Sequence, residues 1–154
     1  MIISLPSFFA SVMRAPIITP MLAFALSAGA AAAETAPQTR TLFINDAEVR
    51  AEIADTPAAR RGGFSHRERP PPDAGILFVF PRPRQFCLWM RDVSFPLDAA
   101  FLDAAGKVIA AARMLPRTEK LHCPPRPAKY ALEVNAGWLQ KNQVKTGDQF
   151  FGLP

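Results

Sequence analysis

Proline placement limits this chain more than any other feature. Thirteen of its 16 prolines lie after Ala33, three of them in a row at Pro70-Pro71-Pro72. Proline has no N–H and a fixed φ, so it interrupts helix interiors and central strands and suits loops, sheet edges and first helical turns. Between the prolines run short apolar or alternating segments. TLFIN (41–45) and EVRAEIAD (48–55), joined by Asn45-Asp46, read as a hairpin with one wet face, Val49, Ala51 and Ile53 alternating with Arg50 and Glu52. Asp55-Thr56-Pro57 supplies an N-cap and a proline at the first helical position, and Gly62-Gly63 ends that short helix. ILFVF (76–80) reads as a buried strand that PRPR (81–84) breaks, and FCLWM (86–90) begins the next strand. After Pro96 come a further strand, a turn at Gly106, KVIAAARM (107–114) and YALEVN (130–135), then a short helix in AGWLQK (136–141) and a turn at Gly147-Asp148. SHRERPPPDAG (65–75) and LPRTEKLHCPPRPA (115–128) read as loops. Six to eight short strands with one or two short helices predict a mainly β fold, a single antiparallel β-sandwich or open barrel.

The first 33 residues carry a different signal. Pro16 to Ala33 is apolar and small, preceded by Arg14 and closed by an alanine run before Glu34. A charged n-region, an apolar h-region and an A-x-A type end predict a secretory signal peptide over 1–33. The uncharged MIISLPSFFASV makes a poor n-region, whereas a start at Met13 would begin with Met-Arg and be an ordinary one. Pro16, Pro20 and an apolar core shorter than the roughly 20 residues of a spanning helix argue against an uncleaved anchor, so no membrane span is expected after cleavage. The expected organisation is a signal peptide, a polar leader over 34–40 and one β domain over 41–154, located in the periplasm or secreted.

Among the 18 basic side chains only Arg14 precedes Glu34, and none of the 13 acidic ones does, so the exported part keeps a positive balance. Basic residues gather at Arg60-Arg61, at Arg67 and Arg69, at Arg82 and Arg84, and from Arg113 to Lys120. Such a surface suits anionic lipid, polysaccharide or nucleic acid in principle. A solvated surface is the plainer reading, and export argues against nucleic acid.

Cys87 and Cys123 are the whole cysteine complement. In an oxidising compartment they are a candidate disulfide, which in the chain-entropy model would add roughly 3–4 kcal/mol for a loop of this length. Spacing leaves open whether they bond. With His66 and His122 they would form a Cys₂His₂ set, but only His122-Cys123 are close and the paired spacing of zinc ligands is missing, so no metal site is expected. His122-Cys123 as a nucleophile pair is disfavoured because sequence neighbours point apart. No phosphate loop, nucleophile elbow or nucleotide fingerprint is present, and no cofactor is expected.

The blocks RRGGFSHR, DAGILFVF, FCLWMRDVSFPLDAAFLDAAGKVIA, YALEVNAGW and KTGDQF follow in an order that resembles the DUF192 (UPF0127) family. Trp89, Met90, Arg91 and Asp92, then Pro96, Leu97 and Asp98, meet its central pattern, and Leu132, Glu133 and Gly137 meet its L-E-x-x-x-G pattern. The resemblance implies a compact, mostly-β, jelly-roll-like domain over roughly 41–150 and carries no established activity. Two departures stand out: the family's usual Gly-Leu-Met is Gly63-Phe64-Ser65 here, and its Asn-Thr after the basic residue is Asp92-Val93.

In an extended segment Cys87, Trp89 and Arg91 share one face, Leu88 and Met90 the other. Trp89 beside Arg91 offers a flat apolar platform and a fork of donors for an anion. Asp92 and Asp98 would anchor the guanidinium or accept from a sugar hydroxyl. The plainer alternative has Trp89 in the core, Arg91 paired with an aspartate and Asp98 capping the turn after Pro96. Acid–base hydrolysis needs two facing carboxylates, and Asp98 and Glu133 are candidates because the resemblance puts both in positions of the family pattern, on separate strands whose distance the spacing leaves open. The expectation is a monomeric, non-catalytic binding or interaction module of the cell envelope, its ligand or protein partner unidentified. Trp89, Arg91, Asp92, Asp98 and Glu133 are its candidate ligand contacts, and the alternative is an envelope hydrolase working through Asp98 and Glu133.

Overall fold

The structure, a computed structural model, describes residues 36–154. The expected signal peptide and the first two residues of the leader lie outside the described residues. Asn45, at φ +51°, turns β1 (Thr39–Ile44) back onto β2 (Ala47–Ala54), giving the hairpin that the alternation predicts. Thr56 then caps α1 (Pro57–Gly62), its hydroxyl accepting from the Ala59 N–H at 3.1 Å, with proline at the start and Gly63 just past the end. The 65–75 loop follows as expected. Its prolines supply acceptors: Asn135 Nδ2 donates to the carbonyls of Pro70 at 3.0 Å and Pro71 at 2.8 Å, while Trp138 Nε1 donates to Asp73 at 3.1 Å.

The chain next enters β3 (Ala74–Arg84), then β4 (Leu97–Leu102), β5 (Val108–Met114), β6 (Ala128–Asn135) and the single turn of α2 (Trp138–Lys141). These form one six-stranded mixed sheet in the order β1-β2-β3-β6-β4-β5. The fold is mainly β, as expected, but not wholly antiparallel. β2 and β3 run parallel because α1 and the proline-rich loop carry the chain back between them.

Two strand expectations need correction. PRPR does not end its strand: β3 runs on to Arg84, past Phe78, the last residue paired with β2, and with a register shift against β6 after Val79. Missing N–H groups at Pro81 and Pro83 are tolerated on an edge beside a bulge. FCLWM, conversely, is not a sheet strand. It is an extended segment tied to the 118–123 loop by a bridge between Leu88 and His122 and by the Met90 N–H donating to Thr118 O at 3.1 Å.

Both sheet faces are buried. Alternate residues of β3, Ile76, Phe78 and Phe80 against Leu77, fall into different apolar clusters. The first cluster is closed by Phe64 after α1 and by Leu88, Met90, Val93 and Phe95 of the segment before β4. The second is closed by Leu42, Val49, Trp138, Leu139 and Phe150. The C-terminal segment bridges Lys107 through Gln149 and Phe43 through Phe151, spanning from the β5 side to the β1 edge without a continuous strand pair. The sheet is not closed, which is consistent with either a β-sandwich or an open barrel. No helix among the described residues is long and apolar enough to cross a membrane.

Candidate functional site

Each sheet face buries one carboxyl group. Glu133 on β6 lies opposite Ile76 of β3 and Ala99 of β4, so it points into the first cluster. Asp98 on β4 pairs with Val134, one residue further along β6, and therefore points into the second. Both are 4% exposed. The two residues that would have to converge for acid–base hydrolysis are separated by the sheet itself, and the structure does not bring them together.

Their surroundings differ as sharply as their directions. Asp98 faces Arg113, its cross-strand partner on β5, and Oδ1 accepts from Arg113 Nε. Its Oδ2 accepts from the Gly137 N–H at 2.7 Å and the Leu139 N–H at 3.3 Å. Gly137 sits at φ +95°, a left-handed conformation that glycine adopts without steric cost, and this aims its N–H at the carboxylate. Asp98 thus fixes the start of α2 and not, as its position after Pro96 suggests, the turn beside itself.

Glu133 has no side-chain hydrogen bond or ion pair among the described residues. Burial alone pushes its pKa up to about 8, so at neutral pH it keeps its proton and presents one donor and one acceptor. Above it opens a cleft of about 380 Å³, walled by Phe64, Phe78, Leu88 and Trp89, with Ser65 and Arg61 at its sides. The end of α1 also lines it. Gly63, at φ +47°, carries no Cβ, and one placed there would lie 3.2 Å from the Phe78 ring and 3.9 Å from Glu133 Oε2.

Trp89 stands at the rim, 47% exposed, and is not a core residue. It shares the outward face with Arg91 as alternation predicts: the guanidinium lies 4.1 Å from the indole centroid and its Nε is 3.0 Å from Glu119 Oε1. Arg91 therefore steadies the indole and takes its carboxylate from the 115–128 loop and not from an aspartate. Asp92 lies in an exposed turn, where its backbone carbonyl accepts from the His66 N–H at 3.0 Å. Of the five candidate ligand contacts, the cleft unites Trp89 and Glu133, with Arg91 stacked behind; Asp92 and Asp98 lie elsewhere.

Cys87 and Cys123 form a disulfide with Cα atoms 4.3 Å apart, next to the Leu88–His122 bridge. Flanking a pair that exchanges both backbone hydrogen bonds, they occupy the closely spaced position of an antiparallel ribbon, where cross-strand sulfurs meet. The bond locks the Trp89 segment onto the 115–128 loop. It also removes both thiolates from the alternative metal set of His66, Cys87, His122 and Cys123, and no cluster of three or more His, Cys, Asp or Glu fit for a metal occurs among the described residues. His122 turns Nε2 inward without a partner among the described residues, and burial, then Lys120, hold its pKa below the usual range.

Phe64, Ser65, Gly63, Arg61 and Phe78 were not among the candidates read from the sequence. Phe64 and Ser65 follow a helix-ending glycine pair, and only the folded chain brings this segment beside Glu133.

Comparison with known proteins agrees with the geometry. A Sinorhizobium meliloti protein provisionally called a transcription regulator superposes with a TM-score of 0.73 at 28% identity, covering 77% of this chain and 97% of that one. A Novosphingobium aromaticivorans protein of unknown function gives 0.67 at 25% identity, covering 74% and 84%. None of the curated proteins compared with the chain matches it. The family model DUF192, described as "Uncharacterized ACR", matches residues 40–151, from β1 to the closing Phe43–Phe151 bridge. With the match spanning nearly the whole six-stranded sheet and both buried carboxyl groups, this chain belongs to the DUF192 family.

Proposed function

We propose that this protein is an exported, non-catalytic binding module of the cell envelope whose ligand seat is the cleft above Glu133. One observation carries the reading: a carboxyl group 4% exposed, without a protein partner among the described residues, at the floor of an aromatic-walled cleft. Glu133 is desolvated by its apolar surroundings, yet neither of its carboxyl oxygens is a fully enclosed atom without a partner, so the group opens onto the cleft. A ligand that hydrogen-bonds to it takes the place of water in the cleft. The cleft volume of about 380 Å³ lies at the lower end of the ~300–1,000 Å³ typical of small-molecule sites.

Binding without catalysis is favoured by the solitary state of Glu133. Hydrolysis by paired carboxylates needs two groups across one cleft, and Asp98 is saturated on the far face of the sheet. Export is supported by the apolar run ending at Ala33 and by the Cys87–Cys123 bond, since disulfides persist in oxidising compartments. The regulatory label of the Sinorhizobium relative has less support, because the described helices of 6 and 4 residues are short for entry into a DNA groove.

The test is the intact mass of the full chain expressed in a bacterium and recovered from its periplasmic fraction. The expected N-terminus is Glu34, and the native mass carries a reproducible adduct that Trp89→Ala abolishes. Retention in the cytoplasm with residues 1–33 attached would overturn export. A native mass equal to the denatured one would overturn the ligand seat.

A further inference from the structure

Resting on the cleft as ligand seat, we infer that its occupant is a neutral saccharide ring, stacked against Trp89 and hydrogen-bonded at its hydroxyl edge to Glu133 and Ser65. The inference comes from what the walls and floor would each reject. A wholly apolar ligand would satisfy Phe64, Phe78 and Leu88 but leave the Glu133 carboxyl unpartnered in a still drier site. A cationic ligand would pass Arg61, which has no ion-pair partner among the described residues, and Arg60 beside it. An anion such as phosphate would meet Arg61 at the rim but would bring its charge down to a carboxyl group held by apolar walls.

A pyranose ring meets all of these demands at once. Its C–H face is apolar and flat enough to lie against an aromatic ring, and its edge carries hydroxyls that both donate and accept. Glu133 retains its proton at neutral pH and so matches that edge with one donor and one acceptor of its own. Ser65 adds a rotatable hydroxyl on the α1 side. Trp89 is already ordered by the stacked Arg91 guanidinium and by the neighbouring disulfide, so little side-chain freedom is lost on binding. The volume of about 380 Å³ has room for one ring or two, and the exposed indole lets a longer chain leave the cleft.

Isothermal titration calorimetry of the oxidised mature protein tests this with cellobiose, maltose and N,N′-diacetylchitobiose, alongside choline, decanoate and inorganic phosphate. At least one disaccharide is expected to bind and the three other compounds not to. Trp89→Ala and Glu133→Leu should each weaken that binding at least tenfold. Glu133→Gln, which keeps a donor and an acceptor, should retain it within about threefold. Far-UV circular dichroism shows that each variant is folded, and Trp89→Ala, at an exposed position, serves even if Glu133→Leu does not fold. Binding of choline, decanoate or phosphate in place of the sugars, lost in Trp89→Ala, would overturn the saccharide and leave the ligand seat standing. Disaccharide binding unchanged in both variants, or no binding by any compound, would overturn the saccharide and the ligand seat together.

Discussion

Asp98 and Glu133 are buried to the same extent on neighbouring strands, yet one is crowded with partners and the other has none among the described residues. The sheet separates them, and each face treats its carboxyl group in a different way. Around Asp98 the guanidinium of Arg113 and two backbone N–H groups neutralise and saturate the charge, so the residue joins β4, β5 and the start of α2. Around Glu133 the neighbours are Ile76, Ala99 and Phe78, which offer nothing to a charge. Saturation marks a group that serves the fold. A group left bare in a cleft weakens the fold and is available to a ligand.

The comparison can be broken most forcefully with pH. Glu133 ionises near 4.5 in the unfolded chain and near 8 in the folded one, so between these values the native state binds more protons than the unfolded state. Its contribution is fully present below about pH 4.5, declines as pH rises through the window and levels off above about 8. At ~1.4 kcal/mol per pKa unit the loss amounts to roughly 5 kcal/mol as an upper bound. Glu133→Gln should remove that slope, leaving the variant the more stable protein at pH 8 in urea melts. A wild-type slope that survives the substitution would assign the pH dependence to other groups.

Asp98→Ala comes next. It leaves the N–H groups of Gly137 and Leu139 without their acceptor and Arg113 without its partner, and about 3 kcal/mol of stability should be lost. The urea midpoint reads this at pH 7, where Glu133→Gln should instead already raise stability. Equal losses from the two substitutions would erase the distinction between the faces. Arg113→Ala should cost less, under about 1 kcal/mol, because the guanidinium is half exposed and Asp98 keeps both backbone donors. Trp89→Ala should move the midpoint least, by no more than about 0.5 kcal/mol, since the indole stands at the rim. A larger loss would return Trp89 to the core.

These contrasts were only partly legible in the sequence. Local signals worked where the chemistry is local: Thr56-Pro57 and Gly62-Gly63 bound α1 as expected, and Asn45-Asp46 turns the first hairpin. Alternation also placed Trp89 and Arg91 on one outward face, although their segment is not a sheet strand. The sides taken by Asp98 and Glu133 were hidden, because β4 is buried at every position and β6 at nearly every one, so polarity shows no alternation there. Only the pairing of Ala99 with Glu133 sets them apart, and register is a property of two strands together. The continuation of β3 through Pro81 and Pro83 was hidden for a similar reason, since proline is tolerated once β2 has ended beside it.

The ¹³C chemical shift of the Glu133 carboxyl carbon, followed by NMR from pH 3 to pH 10, tests the central claim most directly. The bare, desolvated group described here should titrate with a midpoint about 8. A midpoint near the ordinary 4.5 would mean that water or a partner already reaches the carboxylate, and the distinction between the two faces would be lost.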